Sequence, residues 1–123
     1  MAKKILIIDD NEKNRLLMSD ILQYRGYEIL QTEDGEKGVS MARQFQPDLI
    51  LLDMQMPGID GFAVAKILKS DTLTKDIKVI AVTSLAMKGD KERILALGVD
   101  DYIAKPIDTR QFPVLVEKYI GSA

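Results

Sequence analysis

Asp9, Asp10 and Asp53 each stand where an apolar run stops. "KILII" runs into Asp9-Asp10, and "LILL" runs into Asp53. A further run, "VIAV", ends in Thr83-Ser84, and "DYIA" is followed by Lys105-Pro106. Brought together, these groups have a definite chemistry. Carboxylates within several Å repel one another. A hard divalent cation relieves the repulsion, and an all-oxygen site without His or Cys suits Mg²⁺. Mg²⁺ usually keeps waters, so one or two carboxylates and a backbone carbonyl suffice as protein ligands. A carboxylate can also be a nucleophile, giving an aspartyl phosphate. The new negative charge then needs the metal, a cation such as Lys105 and a donor such as the Thr83 hydroxyl.

Absences narrow the chemistry further. The 123 residues contain no histidine, which removes Ser-His-Asp and Cys-His catalysis and imidazole metal sites. They contain no cysteine, so there is no disulfide framework and no thiolate zinc site, as fits a reducing compartment. Neither GxxxxGK[ST] nor GxGxxG occurs, so a phosphoryl group must come from elsewhere. With no histidine in the chain, a phosphohistidine donor must be another protein. Seventeen basic against nineteen acidic residues leave a net charge of −2, which gives nucleic acid no basic footprint. Apolar residues at 46% and charged residues at 29% describe a globular chain with a genuine core. No apolar run approaches the roughly 20 residues of a membrane span, and no signal-peptide segment precedes the first run. A soluble, cytoplasmic, monomeric protein is expected.

The elements that must position these groups alternate. Strands are expected at 4–8, 27–31, 49–53, 78–83 and 101–104. Helices are expected at 11–24, 34–45, 62–69 and 87–97, with a last one near the C-terminus. Leu17, Ile21 and Tyr24 are spaced as the inner face of the first helix. Val39, Met41, Ala42 and Phe45 play that part in the second, and Val64, Ile67 and Leu68 in the third. Phe112, Leu115, Val116 and Tyr119 do so in the last. Pro113 lacks an N–H, so that helix should start irregularly and run regularly only from about Gln111. Alternation of this kind predicts an α/β fold, a doubly wound five-stranded parallel sheet covered on both faces. The mixed run "YEILQ" belongs at an edge. All strand C-termini then share one side of the sheet, where ligands bind. Neighbouring strands are about 4.8 Å apart, so the strand-end groups could converge.

Each feature alone has a plainer reading. Asp10-Asn11 could cap the first helix. An aspartate after a strand is ordinary turn chemistry, and Thr83 is a good strand residue. Lys-Pro is usually a surface turn, and Tyr102 a core or edge aromatic. Three aspartates, a hydroxyl and a lysine at four strand ends of one sheet edge are hard to explain as capping.

The motifs "IIDDN", "LLDMQMPGIDG", "VIAVTS" and "YIAKPI", in this order and spacing, resemble the receiver domain of two-component response regulators. The likeness runs from Lys4 to about Ile120. "LAMKGDKERI" makes it most like single-domain regulators of the DivK type, though similar segments occur in the receivers of hybrid kinases. The resemblance implies a (βα)5 flavodoxin-like fold with strand order 2-1-3-4-5. It implies that Asp53 accepts phosphate from a partner histidine, on a sensor kinase or a histidine phosphotransfer protein. Asp10 would bind Mg²⁺ directly, Asp9 through water, and Asp53 and the backbone carbonyl of Gln55 would complete the metal site. Lys105 would pair with the phosphoryl oxygens, aimed by a cis bond to Pro106. Thr83 would swing toward the phosphoryl group and Tyr102 would move inward behind it. A downstream protein would then read the face built from the fourth helix, fifth strand and fifth helix. Gln55 and Leu85 flank the site and would tune phosphoryl lifetime.

Three rivals compete. A binding-only pseudo-receiver would lack the complete set Asp10, Asp53, Thr83 and Lys105. A haloacid-dehalogenase-type phosphatase would carry a second acid two residues after its nucleophile, where Gln55 stands here. A receiver cut from a longer protein is the third. Residues 1–123 are expected to form a single receiver domain without an output domain, a phosphoaccepting signalling protein rather than an enzyme acting on other substrates.

Overall fold

Each of the three longest apolar runs has nowhere to go but the interior, because its residues are apolar at every position rather than at alternate ones. The computed structural model describes residues 2–56, 58–84 and 89–123. Among these, strands and helices alternate as β1 (Lys4–Ile8), α1 (Glu12–Tyr24), β2 (Glu28–Thr32), α2 (Gly35–Phe45), β3 (Leu49–Asp53), α3 (Gly61–Ser70), β4 (Lys78–Thr83), α4 (Asp90–Leu95), β5 (Asp101–Ala104) and α5 (Gln111–Ile120). All strand pairs are parallel, in the order β2-β1-β3-β4-β5. Ile8 lies opposite Leu52, Asp53 opposite Val82, and Thr83 opposite Ala104.

Successive strand residues point to opposite faces, so each run feeds two cores. Leu6, Ile8, Ile50, Leu52, Val79 and Ala81 pack with Val39, Val64, Leu68 and Ile94 on the side of α2, α3 and α4. Ile5, Ile7, Leu49, Leu51, Ile80 and Val82 pack with Met18, Leu22, Phe112 and Val116 on the side of α1 and α5. Among the described residues, no helix is long and apolar enough to cross a membrane.

Several expectations need correction. The inner face of α1 is Met18, Ser19 and Leu22, with Ile21 half-buried. Leu17 is 37% exposed and Tyr24 is 91% exposed. The helix carries two apolar stripes about one residue apart, and spacing alone does not say which meets the sheet. In α2, Phe45 is likewise exposed at the rim, and Gly35 and Gly38 take inner positions. The second strand begins one residue later than expected. Tyr27 still belongs to the stop of α1: its N–H donates to Leu22 O and the Gly26 N–H donates to Gln23 O. Gly26, at φ +94°, supplies the left-handed residue such a closure requires. Helix α4 ends at Leu95 rather than 97, because Leu97 and Gly98 donate to Ile94 and Leu95 in a tighter final turn. Its expected start at residue 87 lies outside the described residues.

The irregular start of α5 is present. Asp108 accepts from the Arg110 and Gln111 N–H groups through Oδ1, and from the Phe112 N–H through its carbonyl. Pro113 has no N–H to continue that ladder, and the regular helix runs from Gln111.

Candidate functional site

Parallel strands carry their last residues to one side of the sheet, and this side collects the acidic residues. Asp9 follows the end of β1, held by its N–H donating to Thr32 O. Its Oδ1 accepts from the Asn11 N–H at 2.8 Å. The cap of α1 is Asn11, which accepts from the Asn14 N–H at 3.0 Å. Helix capping therefore does not explain Asp10, which projects exposed at the rim. Asp53 closes β3, 2% exposed, and its Oδ1 accepts from the Gln55 N–H at 2.9 Å. Carboxylate oxygens of Asp9, Asp10 and Asp53 lie within 4.8 Å of one another.

Lys105 meets this cluster from the far side. The Lys105 N–H donates to Thr83 O at 2.8 Å, which fixes the backbone beyond β5. The peptide bond to Pro106 is cis. The ammonium reaches Asp53 Oδ1 at 3.4 Å and Asp9 Oδ2 at 3.6 Å. The Lys105 ammonium thus faces the carboxylates of Asp9 and Asp53. At 3.6 Å the contact with Asp9 is an ion pair but too long for a hydrogen bond. Asp9 Oδ2 is buried and has no hydrogen-bond partner among the described residues. A buried carboxylate oxygen left without a donor is costly, and a bound cation would supply what it lacks.

Burial pushes the Asp53 carboxyl up from 3.8 to about 7. The Gln55 N–H opposes this, the neighbouring Asp9 adds to it, Lys105 opposes it, and a hydrogen bond with Asp10 adds to it. A carboxylate in this setting needs a further positive charge to stay ionised at neutral pH. The donor set is hard oxygen throughout, which fits Mg²⁺ and disfavours softer metals.

Thr83 is fully buried at the end of β4, across the strand pair from Asp53's neighbourhood. Tyr102 is half-buried on β5, opposite Ala81, with the Lys91 ammonium 5.6 Å from its ring centre. The structure thus gathers Asp9, Asp10, Asp53 and Lys105 directly. Thr83 and Gln55 adjoin the cluster, and Tyr102 lies on the neighbouring edge strand. Leu85 lies outside the described residues.

Two supporting residues escape a reading of the sequence. Arg15, one turn into α1, donates from Nη1 to the Asp9 carbonyl at 2.8 Å and from Nε to Gln31 Oε1 at 3.2 Å. A lone arginine in a helix gives no spacing signal for that. Gly61 begins α3 against the end of β3. A Cβ there would stand 2.4 Å from Asp53 O and 2.4 Å from Met54 Cα. Only glycine lets the helix come so close beneath the acidic cluster.

Comparisons with known proteins agree with this geometry. Residues 5–117 match the response regulator receiver domain family. The chain is 44% identical, over all 123 of its residues and the whole of the relative, to the polar-differentiation response regulator DivK of Brucella anthropi. Its fold is similar to a response regulator of Chloroflexus aurantiacus, with TM-score 0.92, 26% identity and 98% of each chain covered. It is also similar to the receiver domain of the sensor histidine kinase PA1611 of Pseudomonas aeruginosa, which was solved with a magnesium ion coordinated in its active site cleft. That match has TM-score 0.89 and 30% identity, over 99% of this chain and 100% of the other. A parallel sheet in the order 2-1-3-4-5 with acidic groups gathered at its carboxyl edge, in a chain so matched, belongs to the response regulator receiver domain family of two-component signalling.

Proposed function

We propose that the protein is a phosphoacceptor of a two-component phosphorelay, loaded at Asp53 from a phosphohistidine on a sensor kinase or a histidine phosphotransfer protein. The observation that carries this reading is the buried Asp53 carboxylate. It stands 3.4 Å from a lysine and is grouped with two further aspartates, one of which has an oxygen lacking a donor among the described residues. Asp9, Asp10, Asp53 and the Gln55 carbonyl would hold Mg²⁺. When bound, the ion neutralises carboxylate charge and screens the incoming phosphoryl oxygens.

In the transfer, an Asp53 carboxylate oxygen attacks phosphorus. The P–N bond to the donor imidazole breaks, and the departing nitrogen keeps the electron pair and takes a proton. Lys105 pairs with the phosphoryl oxygens, since it already spans Asp53 and Asp9. The Thr83 hydroxyl, one residue beyond Val82 opposite Asp53, donates to a phosphoryl oxygen after turning toward it. Tyr102 follows into the space behind, and the packing of α4 on β5 changes. The face of α4, β5 and α5 then meets a downstream protein. An open hollow of about 510 Å³, lined in part by Ile103, Phe112 and Leu115, supports that use.

The proposal takes residues 1–123 as one receiver domain, monomeric and cytoplasmic, in the compartment where ATP supplies phosphoryl groups. Its chemistry is self-phosphorylation and loss of that phosphate, not turnover of another substrate. Intact mass after incubation with Mg²⁺ and phosphoramidate tests it. One added phosphoryl group, absent with chelator and absent in Asp53→Asn, is expected. Addition that persists in Asp53→Asn would overturn the assignment, and turnover of small phosphate esters would favour the phosphatase rival.

A further inference from the structure

Gln55 is engaged at both ends. Its backbone N–H donates to Asp53 Oδ1 at 2.9 Å. Its side-chain Oε1 crosses to the segment after β4, where it accepts from the Ser84 N–H at 2.9 Å and from the Ser84 hydroxyl. Ser84 directly follows Thr83, whose carbonyl holds the Lys105 N–H. One residue therefore ties the loop leaving β3 to the neighbour of Thr83, and its own anchor is the phosphoacceptor carboxylate. Gln55 and Ser84 are both exposed, and neither belongs to the two apolar cores. Their bonds are thus a local link at the rim of the site.

We infer that the Gln55 side chain is a latch that holds the Thr83-Ser84 segment in its unphosphorylated position. The inference rests on the phosphoacceptor reading above. In this inference the Thr83 hydroxyl reaches a phosphoryl group on Asp53 through a shift of its segment, which carries the adjoining Ser84 along. That motion breaks both bonds to Gln55 Oε1. The latch therefore opposes loading, and its loss favours the phosphoryl-bound arrangement. This differs from simple screening of Asp53 by side-chain bulk. Gln55→Met separates the two, because methionine keeps the length and removes the acceptor.

The test is affinity for beryllofluoride, a phosphoryl mimic, with Mg²⁺ present, read from backbone amide shifts in the full chain. Gln55→Met is expected to bind about tenfold more tightly, as two hydrogen bonds of ordinary net strength allow. Ser84→Ala keeps the backbone bond and is expected to gain about threefold. The double variant should gain no more than Gln55→Met alone, because both changes release one link. Hydrogen exchange at the Ser84 amide should quicken in Gln55→Met, a readout that bulk at residue 55 does not move. Unchanged or weaker binding in Gln55→Met and Ser84→Ala would overturn the latch, as would additive gains. Should Gln55→Met misfold, Ser84→Ala still decides through its own gain or lack of it. Failure of the unaltered protein to bind beryllofluoride would remove the phosphoacceptor reading beneath it.

Discussion

Asp53→Asn should stabilise the metal-free protein at pH 8 while leaving it little changed at pH 4. Burial raises the Asp53 carboxyl from 3.8 to about 7. Between those values the folded protein holds a proton that the unfolded chain has released. Stability therefore falls as pH rises through that window, and above about 7 the fold carries an ionised carboxylate that burial disfavours. At about 1.4 kcal/mol per unit, the span from 3.8 to about 7 sets a ceiling of about 4 kcal/mol. Asparagine has nearly the same shape and no charge, so it escapes this penalty. It also forgoes the ion pair with Lys105, but burial outranks Lys105 among the causes acting on Asp53, so the net sign favours the variant. The assay is urea denaturation followed by far-ultraviolet circular dichroism, since the chain has no tryptophan, from pH 4 to 8.5 with chelator. The gap between variant and parent should open across pH 4 to 7 and then level off. Millimolar Mg²⁺ should narrow it by stabilising the parent. A pH-independent gap, or a variant less stable than the parent at pH 8 without metal, would refute the reasoning.

Other outcomes follow from single contacts. Lys105→Ala removes the cation that faces Asp9 and Asp53, and should slow phosphorylation by about a hundredfold in a phosphoramidate assay. Gly61→Ala forces a Cβ onto the backbone of Asp53 and Met54, and should lower stability by about 3 kcal/mol in thermal denaturation. Tyr119 donates to Asp101 Oδ2 at 2.8 Å, and that bond pushes its phenol up to about 12. Ultraviolet titration should show the Tyr119 phenol ionising at about 12, with the stability it contributes intact below pH 10 and lost as pH rises through about 12. Leu22→Ala should cost about 3 kcal/mol, whereas Tyr24→Ala should cost under about 0.5 kcal/mol, since Leu22 is buried and Tyr24 is 91% exposed.

The strands were legible because continuous apolar runs have one physical outcome, burial between two helical layers. Their ends were legible for the same reason: "LILLD" can bury four aliphatic residues on the sheet and still leave Asp53 at its carboxyl edge. The face of α1 was not legible. Leu17, Ile21 and Tyr24 form as regular a stripe as Met18 and Leu22, and only the sheet's position decides between them. The late start of β2 depends on Tyr27 closing α1, a closure made by backbone bonds that residue type only hints at. At the site, residue types revealed the carboxylates and Lys105. They could not reveal that Asp9 Oδ2 lacks a donor among the described residues or that Arg15 holds the Asp9 carbonyl, because both are facts of packing. The link from Gln55 to Ser84 joins residues 29 apart and has no spacing signature.

The most direct test of the central claim is the position of the phosphoryl group. The protein would be loaded with phosphoramidate and Mg²⁺, reduced with borohydride and sequenced by tandem mass spectrometry. An aspartyl phosphate is an acyl phosphate, and its reduction leaves homoserine. The account predicts homoserine at position 53. Homoserine at position 9 or 10, with aspartate intact at 53, would contradict it.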